Sequence, residues 1–408
     1  MSVLRALKNA VAARRLPRAA VEERARDRQG LPQRDPGPAA VVDACLQWLA
    51  RAQDCSASGD GGVARDFSLL RGWATSYPET TGYIVPTFIA AAADHPERDL
   101  LARTRRMLDW LAAIQFSDGG IQGGKIDATV KVPVTFNTGQ VLLGFCAGAR
   151  AFGDYHENLH AAARFLRDSL DADGCWRRHP TPFAVAGEKA YETHVSWGLF
   201  EAERLAPGEG YGEAGLRQVD WALGRQRANG WVADCCLSDA SRPLTHTLGY
   251  FLRGVVEAHR LSGAPRLLAA AKRTADGLLA VQRADGSLPG RLSADWTPAV
   301  GWVCLTGLSQ IAESWFYLFE VTGERSYLEA GRKANAYVRC TIHIGGAPDT
   351  SGGVKGAFPV DGDYGAFEYL NWAAKFTIDA NRKELALAGG GRSGAGGARG
   401  DGGARQGR

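Results

Sequence analysis

The apolar residues of this chain fall into helical stripes, broken at near-regular intervals by polar loops that carry glycine. In LTHTLGYFLRGVVEAHRL, Leu248, Phe251, Leu252, Val255 and Val256 stand at i, i+3, i+4, i+7 and i+8. In CLTGLSQIAESWFYLFEVTG, Leu308, Ile311, Trp315 and Phe319 stand at i, i+3, i+7 and i+11, and Ala312 and Phe316 widen the stripe. Period-two alternation of any length is absent, so the pattern predicts helices and no extended sheet.

The stripes repeat. CLQWLARAQDCSASGDGG, LDWLAAIQFSDGG, RFLRDSLDADG, VDWALGRQRANG, ADGLLAVQRADG, and ANAYVRC followed by SGG each run into a glycine turn. The turn glycines Gly61, Gly119, Gly174, Gly230, Gly286 and Gly352 are spaced by 58, 55, 56, 56 and 66 residues. After each turn a second apolar helix begins, as in NTGQVLLGFCAGARAF or YETHVSWGLFEAERL. One such hairpin cannot bury both faces, whereas six in a ring bury the second helices as an inner cylinder inside the first. The turn glycines are expected to end the first helices in the left-handed conformation at C′. All six inner helices then start at the same end, and their first turns form one concave surface with the loops.

The predicted organisation is all-α, with twelve helices in two concentric rings over residues 39–380. A basic, partly flexible segment precedes it at 1–38, and a Gly/Arg-rich disordered tail follows at 381–408, where Gly389 to Arg408 is half glycine.

Composition narrows the class. With 45% hydrophobic and 23% charged residues over 408 positions, the chain has the make-up of a globular protein with a large core. No apolar stretch reaches the roughly 20 residues of a bilayer helix, and Leu305 to Val321 carries Gln310 and Glu313. This argues against integral membrane association. The net charge of +4 resides in the ends: residues 1–38 hold nine Lys/Arg against four acids, and 381–408 six against two, leaving the body at about −5. Nucleic acid is therefore not an expected partner. The opening MSVLRALKNAVAARRLPRAAV reads as a basic amphipathic stretch and not an export signal; a solvated tail is expected, with a membrane-surface role as the alternative. The eight cysteines include no CxxC and are expected as reduced thiols of a cytoplasmic protein. Cys235, Cys236 and His246 lack zinc-ligand spacing, so no metal and no cofactor are implied. The pair Glu22 and Glu23 is expected in solvent.

The sixfold pattern, with QxxDG turns at Gln115, Gln226 (an Asn-Gly variant) and Gln282, resembles the (α/α)6 toroid superfamily of six-hairpin glycosidases, polysaccharide lyases, glucuronyl C5-epimerases and terpenoid cyclases. The resemblance covers roughly residues 40 to 380. SYPETTGY, YETHVSW and LTHTLGY, at residues 76–83, 191–197 and 244–250, are similar to helix starts of its carbohydrate-active branch, especially epimerase-type domains and toroids associated with bacterial surface polysaccharides. A terpenoid cyclase ranks low, because DADG at 171–174 is a turn and offers no acidic cluster to protonate an alkene.

The junctions between loops and inner helices hold the candidate chemistry. His194, His246, Tyr250 and Glu79 are the expected catalytic groups. Arg71, Tyr77, Asn137, Tyr191, Trp197, Asp363, Tyr369 and Asn371 are the expected substrate contacts, because aromatic faces stack on sugar rings while amides and charges hold hydroxyls and carboxylates. Converging helix amino-termini favour an anion, helped locally by Arg71, Lys125, Lys131 or Lys189. The expected function is an enzyme of bacterial surface or exopolysaccharide metabolism. It acts on a uronate-containing oligo- or polysaccharide by proton abstraction next to the carboxylate, as a lyase or C5-epimerase. An inverting glycoside hydrolase is the alternative, drawing two carboxyl groups from Glu79, Glu192, Asp295, Asp363 and Glu368. A noncatalytic polysaccharide-binding or assembly component is the alternative of another class. The oligomeric state is left open.

Overall fold

The computed structural model describes residues 16–32 and 34–390. Both the basic stretch before Leu16 and the glycine-rich tail after Gly390 lie outside the described residues.

Helix α1 (Arg18–Asp27) precedes two sets of six helices. The outer set is α2 (Pro38–Asp54), α4 (Leu100–Ala113), α6 (His156–Ser169), α8 (Tyr211–Leu223), α10 (Pro265–Ala280) and α12 (Arg325–Cys340). The inner set is α3 (Pro78–Ala91), α5 (Thr135–Phe152), α7 (Thr193–Leu205), α9 (Thr245–Ser262), α11 (Leu305–Thr322) and α13 (Asn371–Gly390). Each inner helix packs on the next, and α13 returns to α3 to close the cylinder. This is the (α/α)6 toroid.

Connection length decides which helices pair. Only Gly263 and Ala264 separate α9 from α10, so the two lie antiparallel and in contact, as do the other inner helices and the outer helices that follow them. The last inner helix, α13, takes the first outer helix, α2, as its partner. The packed pairs are therefore offset by one helix from the hairpin unit read in the sequence. The long segments from outer to inner helix, such as 281–304, are free to build the mouth.

The turn glycines do not cap the outer helices as expected. Helix α8 ends at Leu223, and Gly230 lies beyond it in a separate turn where its N–H reaches the Arg227 carbonyl at 2.9 Å. Its φ of +85° is left-handed, and a Cβ there would stand 2.1 Å from the carbonyl oxygen of Arg273 on α10. Gly352 stands in the same way against Ala44 of α2, which closes the ring between its last and first units. Glutamine completes the contact: the side-chain amides of Gln115, Gln226 and Gln282 donate to the Asn158, Ala270 and Ala330 carbonyls of the next outer helix at 3.1, 2.8 and 3.0 Å. The QxxDG motif is thus a ring-building device. The left-handed C-terminal role falls instead to Gly153, Gly263 and Gly323 at the ends of inner helices.

Short strands stitch the mouth. β1 (Asp66–Ser68) pairs antiparallel with β2 (Gly72–Trp73) and with β5 (Glu368–Leu370), joining the first long loop to the last, and β3 (Val303–Cys304) pairs with β4 (Ala357–Phe358).

One expected boundary and one expected exposure are corrected. α13 continues to Gly390, because Asn381 and Glu384 engage Arg339 on α12 and hold residues past 380 in the ring. Glu23 is buried, not solvated: with Asp27 it clasps Lys355, 1% exposed, at 2.8 Å from Glu23, and Asp27 also accepts the Val360 N–H at 2.7 Å. The segment before the ring is thereby tied to the loop that precedes β5.

Candidate functional site

A cavity of about 890 Å³ opens at the end where the inner helices begin. Its size lies near the upper end of the roughly 300–1,000 Å³ typical of small-ligand sites. Helix α3 and its entry contribute Tyr77 and Glu79, α5 contributes Phe136 and Asn137, the turn before α7 contributes Tyr191, and α9 contributes His246 and Tyr250. The stitched loops add Arg65, Asp66, Arg71, Trp73 and Tyr364, and the first turn of α13 adds Trp372.

Glu79, Asn137, His246 and Tyr250 therefore share one cavity despite coming from three helices. Of the expected substrate contacts, Arg71, Tyr77, Asn137 and Tyr191 line it. Asn137 also donates to the Gln122 carbonyl at 3.1 Å, which fixes the second loop.

The remaining candidates are placed elsewhere. His194 is fully buried beside the Tyr250 ring, 4.5 Å between centroids, and Tyr191, in the 3-10 turn over Ala190–Glu192, lines the cavity in its place. Trp197 lies one turn further in, under the Arg253 guanidinium at 4.2 Å. Asp363 is exposed, and its neighbour Tyr364 faces the cavity instead. Tyr369 sits in β5 with its ring buried near Phe67. Asn371 is a buried clamp, donating to the Ala64 carbonyl at 2.9 Å and to Thr80 Oγ1 at 2.7 Å.

The two histidines share one local arrangement with different outcomes. His246 Nδ1 stands 2.6 Å from Gln310 Oε1, and His194 Nδ1 stands 2.7 Å from Gln140 Oε1. In each, the ring donates through Nδ1, which leaves Nε2 with the lone pair. His194 Nε2 is sealed and has no partner, whereas His246 lines the cavity. A close helix approach makes the first contact: a Cβ on Gly307 would stand 2.4 Å from the His246 backbone nitrogen, so α11 presses against α9 and brings Gln310 to the ring.

Burial sets the protonation states. It pushes Glu79 up to about 7, with Tyr77 and Arg65 opposing; Glu79 is partly open to the cavity, yet protein surrounds it. It pushes His246 down to about 4 against the Gln310 hydrogen bond. Burial also raises the Tyr77, Tyr191, Tyr250 and Tyr364 phenols, so they stay protonated and act as donors. A proton-bearing carboxyl and a neutral imidazole thus coexist near neutral pH.

Sequence reasoning passed over Arg65 and Asp66. Arg65 donates to Asp66 at 2.6 Å and to Glu368 at 3.1 Å, and its guanidinium lies 5.2 Å from the centre of the Trp372 ring. Both residues follow the first glycine turn with no local signature; β1 pairing with β5 carries them into the wall. Of the carboxylates proposed for a hydrolase, Glu79 alone lines the cavity, joined by the unpredicted Asp66 and Asp127. Among the cations, Arg71 and Lys125 line it and Lys131 and Lys189 do not. Asp171 and Asp173 hold Arg177 in their turn. Among the described residues, only Asp43, His95 and Glu97 bring three metal-type ligand atoms together, and Arg98 already pairs with Asp43 there.

No family model matches the chain, and no curated protein matches it in sequence. Solved structures do match in fold. An unsaturated glucuronyl hydrolase specific for heparin superposes with a TM-score of 0.68 at 13% identity, over 86% of this chain and 97% of that one. The unsaturated glucuronyl hydrolase of Bacillus sp. GL1, responsible for the degradation of glycosaminoglycan, gives 0.67 at 13% identity with the same coverage. The cellobiose 2-epimerase of Bacillus thermoamylovorans B4167 gives 0.64 at 12% identity, over 84% and 97%. All share the (α/α)6 toroid with this chain.

Proposed function

We propose that the protein is a carbohydrate-active enzyme that takes a uronate unit of an oligo- or polysaccharide into the cavity and moves a proton at the carbon next to its carboxylate. The observation that carries this reading is the pairing, in one aromatic-walled cavity, of a neutral His246 with a carboxyl group, Glu79, that holds its proton near pH 7. His246 Nε2 takes the C5 proton. The substrate carboxylate, held by hydrogen bonds from Arg65 and Arg71, which also pair with Asp66 and Glu368, accepts the electron pair as an enolate. Glu79 or Tyr250 then returns a proton. Delivered to the oxygen leaving C4, it completes an elimination in which the C4–O bond breaks and a C4–C5 double bond forms; delivered to the opposite face of C5, it completes an epimerisation.

A role in bacterial surface or exopolysaccharide metabolism, inside the cell or at the membrane surface, belongs to the same proposal. A second reading is a glycoside hydrolase, favoured by Asp66 and Asp127 facing the cavity that holds Glu79. There Glu79 protonates the leaving oxygen and one aspartate activates water.

Incubating the protein with uronate-containing saccharides in D2O tests both. Ultraviolet absorbance of an unsaturated uronate marks the lyase, deuterium at C5 without new absorbance marks the epimerase, and new reducing ends with neither mark the hydrolase. Binding without any of the three overturns catalysis and leaves a noncatalytic component.

A further inference from the structure

A second concavity, of about 440 Å³, lies outside the cavity, between the second glycine turn and the outer helix α6. Ser117 and Asp118 of the turn, Arg164 and Asp168 of α6, and Arg178 and His179 of the loop that follows line it. Its size falls within the range of small-ligand sites. The walls are fixed in advance. A Cβ on Gly119 would stand 2.2 Å from the Ala161 carbonyl oxygen, so the turn presses on α6, and the His179 ring rests against Phe165 with 4.6 Å between centroids. Such a site loses little freedom when it is filled.

Its charges are unevenly satisfied. Asp168 pairs with Arg167 at 2.8 Å, and Asp118 Oδ1 accepts the Gly120 N–H at 2.9 Å. Arg178 shares Asp171 with Arg177, at 3.4 and 3.1 Å, and keeps 58% of its side chain exposed. Arg164 is exposed and has no acidic partner among the described residues. A guanidinium without a counter-charge, beside hydroxyl and imidazole groups, suits a carboxylate carried on a hydroxyl-rich ring.

Position selects among anions. The loop that gives Arg178 and His179 to this pocket gives Thr181 and Phe183 to the cavity, and the segment that begins at Ser117 reaches the cavity at Gly124 and Lys125. Pro180 alone separates His179 from Thr181, so their Cα atoms stand at most about 7 Å apart. Lys131, further along the first segment, is exposed and also has no ion-pair partner among the described residues. A free anion gains nothing from this adjacency, whereas a chain of linked acidic sugars can occupy both sites at once.

We infer that the outer pocket is a second carbohydrate site, in which Arg164 holds the carboxylate of a uronate unit belonging to the same chain as the unit in the cavity. This rests on the reading that the cavity takes a uronate-containing saccharide. It makes the preferred substrate a polymer and not a disaccharide.

Calorimetric titration of the intact protein with digalacturonate and hexagalacturonate, with the neutral pair cellobiose and cellohexaose, and with inorganic phosphate tests it. Hexagalacturonate is expected to bind about tenfold tighter than the dimer, equivalent to about 1.4 kcal/mol, with no such gain in the neutral pair. Arg164→Glu, shown folded by circular dichroism, is expected to bring that ratio close to one and to leave the affinity for digalacturonate unchanged. Hexagalacturonate bound through Arg164 with no binding of the dimer supports the pocket while the cavity reading fails. Equal affinity for dimer and hexamer, or a gain unchanged in Arg164→Glu, overturns the inference and leaves the cavity reading standing. A gain shared by the neutral pair overturns the carboxylate contact. Phosphate that binds as tightly as hexagalacturonate, and is lost in Arg164→Glu, makes the pocket a free-anion site and overturns the inference; no binding of any saccharide overturns both.

Discussion

Gln310 accepts a hydrogen bond from His246 at 2.6 Å across two neighbouring inner helices, and that contact decides which ring nitrogen faces the cavity. Without it, the imidazole can turn or change tautomer. Gln310→Ala is expected to lower turnover by about ten- to a hundredfold through misplacement of the base, with substrate affinity little changed. Gln310→Glu places a carboxylate against Nδ1, favours the imidazolium, and is expected to move the acid limb of the pH–rate profile upward by about one unit or more. Steady-state kinetics across pH reads both; an unmoved acid limb in Gln310→Glu removes His246 as the base.

Glu79 and His246 together predict the shape of that profile. His246 gives up its proton as pH rises past about 4, and Glu79 loses its proton past about 7, so kcat/KM is expected to be bell-shaped between these limits. Glu79→Gln is expected to lose roughly 10²- to 10⁴-fold in rate if Glu79 transfers the proton.

The same carboxyl group makes a separate prediction for stability. Its folded pKa lies above its unfolded value, so the stability it permits is complete below about 4.5 and is lost as pH rises through about 7. Glu79→Gln is therefore expected to raise the melting temperature at pH 8 and to leave it nearly unchanged at pH 4, as measured by calorimetry.

Lys355 balances two buried carboxylates, so Lys355→Met leaves Glu23 and Asp27 facing one another. A loss of about 3–5 kcal/mol in urea unfolding is expected. Burial works against the Glu23 charge, but His343 and Lys355 prevail and hold its pKa down at about 2. Its contribution is present above about 4.5 and disappears as pH falls toward 2.

Gly286 is the fifth test. Its φ is +91°, and a Cβ would stand 2.3 Å from the Lys333 carbonyl oxygen on the next outer helix. Gly286→Ala is expected to cost about 2 kcal/mol or more, because the strained backbone and the clash add. Gly263→Ala, also left-handed but with open space around it, is expected to cost less. Equal losses in urea unfolding would show that packing against α12 contributes nothing.

What the chain announces locally, it announces well. Apolar stripes at helical spacing and six glycine turns determine the helices, the ring and the end at which the inner helices begin, because each unit repeats the same near-neighbour contacts. The identity of Glu79, Asn137, His246 and Tyr250 as cavity residues follows from their common place at helix starts. Tertiary structure alone decided the rest. His194 and His246 hold the same position in similar helices, yet the Nε2 of the first is sealed in the interior while the second lines the cavity. Glycine turns that read as helix caps are contacts between units, since their carbonyl partners lie on the following outer helix. Arg65 enters the wall because Asp66 pairs with Leu370, at the far end of the ring. Pairing over such a separation leaves no periodic trace in the intervening sequence, so it is decided only when the closed ring brings the first and last loops together.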